Sequence, residues 1–147
     1  MDKARSASRR KSREIALSLL YSLEFTTEEH FGRKKEDTIQ LIEMADADDE
    51  YAVHLFEGVR GSLQAIDGRI RGCSHHWRLE RMNLIDRNII RIGVFEIFER
   101  QVPVEVIINE AVEMAKVFGD SKSSSFINGI LDAIAKEEPA AKEEPAT

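Results

Sequence analysis

The sequence predicts an all-α protein of about seven helices. Apolar residues recur at steps of three and four along several segments, which places them on one face of an α-helix. Valine and isoleucine follow the same helical spacing, and no segment alternates apolar and polar residues as a half-buried β-strand does. A chain of 147 residues is long enough for one domain. Such a domain buries about two-thirds of its unfolded surface.

The N-terminal segment combines a short polar start with a basic, amphipathic helix. We expect residues 1–8 to form a disordered arm and a helix to run from about Arg9 to Phe25. The apolar stripe of this helix is formed by Ile15, Ala16, Leu19, Leu20 and Leu23.

Charge is distributed unevenly along the chain. Residues 1–13 hold six basic side chains against one acidic side chain, a net charge of +5. The whole chain carries −6, so the remainder carries −11. Cations at a helix N-terminus oppose the helix dipole, so stability does not explain them. Two interpretations remain open, namely contact with the phosphates of RNA or DNA, which releases counterions, and a solvated basic tail.

The middle of the chain is predicted to hold a loop and two helices. Thr26 to Lys35 is polar and is expected to be the loop, and Asp37 to Met44 is expected to be a short helix. Tyr51 to Arg71 is the longest helix candidate. Gly58 and Gly61 lower its helix propensity, and we expect them to allow a close backbone crossing.

The next helix is expected to be central in its domain. Asn83 is a candidate N-cap, with Asp86 three residues later as in a capping box. The residues from Leu84 to Phe98 are apolar on most of the helix circumference, which is typical of a buried helix. Arg91 is expected to form a salt bridge with a neighbouring carboxylate.

Two antiparallel helices are expected at the C-terminal end. Pro103 fits a first helical turn, and Gly119 is expected to end this helix in the left-handed conformation. A polar turn, 120–125, leads to a second helix that begins around Phe126 and ends near Lys136. Residues 137–147 contain a proline-rich acidic repeat, so we expect a disordered tail.

Several functional classes are disfavoured by the sequence. No apolar run is long enough for a transmembrane helix, and no apolar segment follows the basic N-terminus as in a secretory signal. A single cysteine fits the cytoplasm. The acidic residues at 46–50 lack the spacing of a calcium loop, and the histidines at 75–76 lack further zinc ligands. No catalytic or cofactor motif is present, so we expect neither an enzyme nor a bound cofactor or metal.

Three segments resemble the NusB family of bacterial transcription antitermination factors. They read ARSASRRKSREIALSLLYSLEF, LERMNLIDRNIIRIGVFEI and VPVEVIINEAVEMAKVFGDSKSSSFINGILD, in the order that the family has them. The resemblance implies two three-helix-type bundles packed side by side. It also implies binding of boxA RNA in ribosomal transcripts together with ribosomal protein NusE, within an antitermination complex on RNA polymerase. Some members form homodimers.

The resemblance also suggests which residues bind RNA and protein. The arginine-rich N-terminal patch of the family corresponds to Arg9, Arg10, Lys11 and Arg13. Tyr21 corresponds to an aromatic residue near the protein partner, and Asp86 to an acidic position linked to partner or RNA contact. Phe126 is a candidate for base stacking, although a core position is the alternative. Lys122 departs from the acidic or mixed turns of many relatives and is expected to strengthen RNA binding.

Two other functions remain open at this level. A NusB-like fold also forms the N-terminal part of some RNA methyltransferases, a role that requires a downstream cofactor-binding domain with a glycine-rich loop. We expect no such domain here, because the chain continues into the acidic tail. A helical protein-interaction adaptor without specific RNA binding is the other alternative.

Overall fold

The computed structural model describes residues 2–24, 49–74 and 78–137, and the side chains of 8–24, 50–74 and 78–137. These residues form six α-helices and one 3₁₀ turn, and no strand is found among them. The chain divides into two compact units, Met1–Gly61 and Ser62–Thr147. The all-α prediction is confirmed. The helix predicted at 37–44 lies outside the described residues, as do the loop at 26–35, the acidic cluster at 46–48, the segment 75–77 and the tail from 138.

The first unit is built on two helices that pack against each other. Helix α1 is Asp2–Leu23 and helix α2 is Asp49–Gly61. Their apolar faces are buried, because three- and four-residue spacing puts these side chains on one stripe of each helix. The buried residues are Ala16, Leu17, Leu19 and Leu20 on α1 and Ala52, Leu55, Phe56 and Val59 on α2.

Helix α1 begins earlier than the sequence pattern predicts. Residues 2–8 are helical, so the predicted disordered arm is corrected for this segment. This segment contains alanine, lysine and arginine, which are good helix formers, and it lacks glycine and proline. The basic residues from Arg9 to Arg13 therefore lie in the third and fourth turns of α1, not in its first turn.

The second unit contains four helices and the 3₁₀ turn. Helix α3 is Leu63–Cys73, the 3₁₀ turn is Leu79–Arg81, α4 is Leu84–Glu99, α5 is Val104–Phe118 and α6 is Ser123–Glu137. Helix α4 packs against α3, α5 and α6, and α5 packs against α6. Every residue of α4 from Asn88 to Ile97 is buried except Arg91, which is partly exposed. The prediction that this helix is central is confirmed for its unit.

The predicted helix Tyr51–Arg71 is in fact two helices. The chain leaves the helical conformation at Ser62, whose φ is −116° and ψ is 19°. Glycine has the lowest helix propensity apart from proline, so the break directly after Gly61 has a local cause. The expected close crossing is wrong at Gly61, because a Cβ atom there would meet no neighbouring atom within 4 Å.

Helix α4 has a clear local signal at each end. The Asn83 side chain accepts a hydrogen bond from the Asp86 backbone N–H at 2.8 Å, so the predicted N-cap is confirmed. At the other end Arg100 adopts the left-handed conformation, with φ 59° and ψ 30°. Its backbone N–H donates to the Glu96 carbonyl at 3.1 Å, which completes the last turn.

A largely buried ion pair ties α3 to α4. Arg91 Nε and Nη2 each donate to one carboxylate oxygen of Asp67 at 2.9 Å. Arg91 Nη1 also donates to Asn88 Oδ1 at 3.2 Å. The two charged side chains are only 12% and 11% exposed, so losing either partner leaves a charge in poor contact with water. The predicted salt bridge of Arg91 is confirmed.

The turn between α5 and α6 requires glycine for a reason other than the predicted one. Gly119 has φ −97° and ψ −171°, which is extended backbone rather than the left-handed conformation. A Cβ atom at this position would lie 2.6 Å from Ser123 Oγ and 2.9 Å from the Ala115 carbonyl oxygen. Close approach, not positive φ, therefore excludes a side chain here.

Gly93 is the site of a close approach between α4 and α6. A Cβ atom on Gly93 would lie 2.9 Å from Leu131 Cδ1 and 3.0 Å from Leu131 Cδ2. Leu131 is fully buried, so its side chain has little room to move away. The absent side chain of Gly93 therefore sets the distance between the two helices.

We expect Gly93→Ala to destabilise the fold. Overpacking of a dense core costs about 1–3 kcal/mol, and alanine regains about 1 kcal/mol of helix propensity, so the net loss should be at most about 2 kcal/mol. Urea unfolding followed by circular dichroism measures this change. Gly68→Ala is the matched control, since a Cβ atom in α3 at that position meets open space and should stabilise. If Gly93→Ala were as stable as Gly68→Ala, this role of Gly93 would be contradicted, because both variants gain the same helix propensity.

Candidate functional site

The basic patch, defined as Arg9, Arg10, Lys11 and Arg13, lies on α1. Arg10 and Lys11 are exposed, Arg9 is half-buried, and Arg13 is only 4% exposed. Consecutive helical residues point in different directions, so the four cations do not share one face. Arg10 and Lys11 therefore offer their charge directly to solvent, whereas Arg9 and Arg13 face α2.

Arg9 and Arg13 meet an aromatic side chain of α2. The Arg9 guanidinium carbon lies 4.0 Å from the centre of the Tyr51 ring, and that of Arg13 lies 5.8 Å from it. Tyr51 also stacks with His54, with ring centres 5.9 Å apart and ring planes inclined by 27°. The face of an aromatic ring is electron-rich and attracts a cation within about 6 Å. Tyr51 is thus part of this cationic surface, and no motif or spacing in the sequence predicted that.

Tyr21 lies two turns further along α1. It is 39% exposed, whereas Leu19 and Leu20 next to it on the same helix are buried. Exposed tyrosine is common in protein interfaces, because it offers a large apolar ring and a hydroxyl group. The exposure of Tyr21 favours a contact with the protein partner, and that contact remains a prediction.

A second group of predicted residues surrounds the turn between α5 and α6. Asp120 Oδ1 accepts hydrogen bonds from the Lys122 backbone N–H at 2.9 Å and from Ser123 Oγ at 3.3 Å. Ser123 Oγ in turn accepts from the Asp120 backbone N–H at 3.1 Å. Asp120 and Lys122 are both exposed. The charge of Lys122 is therefore partly offset by a carboxylate in the same turn, which limits the gain in RNA affinity expected from Lys122.

Asp86 reaches this turn from the first turn of α4, but it is 6% exposed. Its Oδ2 accepts from Asn83 Nδ2 at 3.2 Å, whereas its buried Oδ1 has no hydrogen-bond partner among the described residues. Burial raises the pKa of Asp86, and the nearby Asp120 raises it further, against the opposing effect of Ser123 and Asn83. Direct contact of Asp86 with a partner remains a prediction. Because Asp86 is buried, we expect it to act on a partner by holding the α5–α6 turn in shape rather than by touching the partner.

Phe126 is half-buried in the first turn of α6. It is therefore neither a fully buried core residue nor an exposed ring, and its stacking on a base remains a prediction. One face of the α5–α6 pair carries an open groove of about 550 Å³. Its lining residues are Glu105, Ile108, Asn109, Val112, Ser124, Ser125 and Asn128. Asn109 and Asn128 are exposed in this groove, so their side-chain amides are accessible to solvent.

The part of the chain that the structure describes contains neither a metal-binding cluster nor a membrane-spanning helix. Within residues 2–24, 49–74 and 78–137, no group of three or more His, Cys, Asp or Glu side chains could hold a metal ion. None of the helices in these ranges is both long enough and apolar enough to cross a membrane.

Comparison with known proteins identifies the family. The model of the NusB family matches residues 10–136. The chain belongs to the NusB family. It is 43% identical over 138 residues to the transcription antitermination protein NusB of Citrifermentans bemidjiense, covering 86% of this chain and 93% of that protein. It is 42% identical over 132 residues to NusB of Myxococcus xanthus, covering 86% and 94%.

Solved structures of NusB proteins share the fold. T. maritima NusB is 36% identical, with a TM-score of 0.74, over 93% of this chain and 96% of that chain. A chain in a crystal structure of antitermination factors NusB and NusE in complex with dsRNA is 26% identical. It has a TM-score of 0.75 and covers 88% of this chain and 97% of that chain. The similarity to NusB proteins therefore holds in both sequence and structure.

The raised pKa of Asp86 predicts how pH affects Asp86→Asn. Because the fold disfavours the charged carboxylate, the folded protein takes up this proton at a higher pH than the unfolded chain. As pH falls through the raised pKa towards the ordinary value of 3.8, the parent protein should gain stability relative to Asp86→Asn. Urea unfolding of both proteins between neutral pH and pH ~3.5 measures the difference.

Asp132→Asn is the control for this experiment, because it removes one exposed carboxylate from α6. A stability difference between the parent and Asp86→Asn that moves in the opposite direction on acidification would show that the pKa of Asp86 is lowered.

Proposed function

We propose that this protein is a transcription antitermination factor that binds boxA RNA of ribosomal transcripts. In this proposal it binds together with ribosomal protein NusE and joins the antitermination complex on RNA polymerase. The observation that carries the proposal is similarity to NusB proteins over most of the chain, with 43% identity to the first relative described. The shared fold with the NusB of a NusB–NusE–dsRNA complex supports both partners.

The charge distribution of α1 supports RNA as a ligand. A chain with a net charge of −6 is repelled by RNA as a whole, so binding needs a localised positive surface. Arg10 and Lys11 supply two exposed cations, and Arg9 supplies a third that forms no ion pair among the described residues. Each cation that neutralises a phosphate releases counterions, which makes affinity fall as salt rises. Arg13, Lys122 and Phe126 are proposed as further contacts.

The partner surface is proposed to include Tyr21 and, through the α5–α6 turn, Asp86. We further propose that the chain works in the bacterial cytoplasm without catalytic activity, as one helical domain over residues 9–136. A homodimer that covers the RNA surface remains a prediction. Membership of the NusB family supports these assignments.

A protein-interaction adaptor without specific RNA binding is the second candidate. The observation that favours it is the end of α5, where Val117 is 68% exposed and Phe118 is 44% exposed. Two adjacent exposed apolar side chains suit a protein contact better than contact with RNA phosphates. This candidate predicts partner binding that is independent of RNA sequence.

Binding of a short boxA RNA, with and without NusE, tests the proposal. We expect boxA RNA to bind more tightly than a scrambled RNA of equal length, and NusE to increase that preference. Fluorescence anisotropy at several salt concentrations measures both effects. Binding that is indifferent to RNA sequence and to NusE would favour the adaptor instead.

The basic patch predicts a change in salt dependence. Arg10→Gln and Lys11→Gln should each weaken boxA binding and reduce the slope of log affinity against log salt by about 0.7, the value for one phosphate of a single strand. Lys116→Gln and Lys136→Gln are matched controls, because each removes one exposed positive charge from α5 or α6. If all four variants lose affinity equally, net charge rather than the basic patch governs binding.

A further inference from the structure

We propose that Tyr51 is a positioning residue for RNA binding, which holds the Arg9 guanidinium in place for a phosphate of the RNA. This inference rests on the proposed function. It adds Tyr51 of α2 to the basic patch, whose four residues all lie on α1. The ligand it concerns is the sugar–phosphate backbone of a single-stranded RNA, because a guanidinium recognises phosphate oxygens through its N–H groups.

Within residues 2–24, 49–74 and 78–137, the stack on Tyr51 is the one interaction that the structure shows for Arg9. The guanidinium carbon lies 4.0 Å from the Tyr51 ring centre, a distance of direct contact. No carboxylate among the described residues forms an ion pair with Arg9, and its Nε is buried without a hydrogen-bond partner. A guanidinium that is stacked on a ring and has no carboxylate partner in the described part of the chain is suited to an external anion.

The neighbouring cation gives the ring a second role. Arg13 lies four residues after Arg9, on the same face of α1, and its guanidinium carbon is 5.8 Å from the same ring. Two like charges at this spacing repel each other along a helix. The electron-rich face of Tyr51 attracts both, so it favours the arrangement in which two cations stay close together.

Fixing Arg9 before binding raises affinity, because the long side chain then loses less conformational freedom on contact. Lys11 is exposed and has no such support among the described residues. The basic patch thus combines one guanidinium that is held on a ring with exposed cations. Tyr51 itself acts through Arg9, so its removal should affect RNA affinity only while Arg9 is present.

A double-mutant cycle tests this coupling. The proteins are the parent, Arg9→Gln, Tyr51→Leu and the double variant, with Tyr51→Phe as the conservative control that keeps the ring. The measurement is boxA RNA affinity across a range of salt concentrations, with thermal unfolding recorded for each protein. If Tyr51→Leu does not fold, Tyr51→Met takes its place, since methionine is unbranched and flexible enough to fill an irregular space.

We expect Tyr51→Leu to weaken RNA binding by about two- to tenfold, which corresponds to the cost of ordering one long side chain on contact. Tyr51→Phe should stay close to the parent. In the Arg9→Gln background, Tyr51→Leu should have almost no further effect, and the salt slope of the double variant should equal that of Arg9→Gln.

An equal loss of affinity from Tyr51→Leu in both backgrounds would overturn the inference, since Tyr51 would then act independently of Arg9. No loss from Tyr51→Leu, although the parent binds boxA RNA, would also overturn it and leave the proposed function intact. If the parent itself fails to bind RNA in a salt-dependent way, the proposed function fails and the role of Tyr51 fails with it.

Discussion

The close approach of α4 and α6 at Gly93 is the constraint on which the second unit depends. Leu131 occupies the space that a side chain at Gly93 would fill. This contact brings α6 against the most buried helix of the unit, and α5 packs on both. The α5–α6 turn is placed in this way beside the first turn of α4, where Asp86 is buried. A packing requirement in the core thus determines the surroundings of a carboxylate near the surface.

The basic patch on α1 and the residues around the α5–α6 turn differ in how their charges are compensated. On α1, Arg10 and Lys11 are exposed, and Arg9 is stacked on an aromatic ring, which does not cancel its charge. Around the α5–α6 turn the charges are offset, because Asp120 lies in the same turn as Lys122 and organises it through two hydrogen bonds. The acidic remainder of the chain makes this localisation necessary, since only a concentrated patch overcomes its repulsion of RNA.

Local signals predicted the helices well and their ends less well. The N-cap at Asn83 and the buried face of α4 were predicted correctly, because both depend on residues close in sequence. The break at Ser62 was missed, since the apolar spacing continues across it and hides the change of helix. The early start of α1 was missed because residues 2–8 contain no large apolar residue, although the alanine, lysine and arginine of this segment favour a helix.

The sequence by itself determined the fold class, the central helix, the uneven charge and the membership of a family. Each of these depends on periodicity, composition or motifs within one segment. Only the tertiary structure decided that Gly93, rather than Gly61, marks a close crossing. Only the tertiary structure placed Tyr51 over Arg9 and buried the carboxylate of Asp86. These features depend on which side chains of different helices meet, and that is set by the packing of the whole core rather than by spacing along the chain.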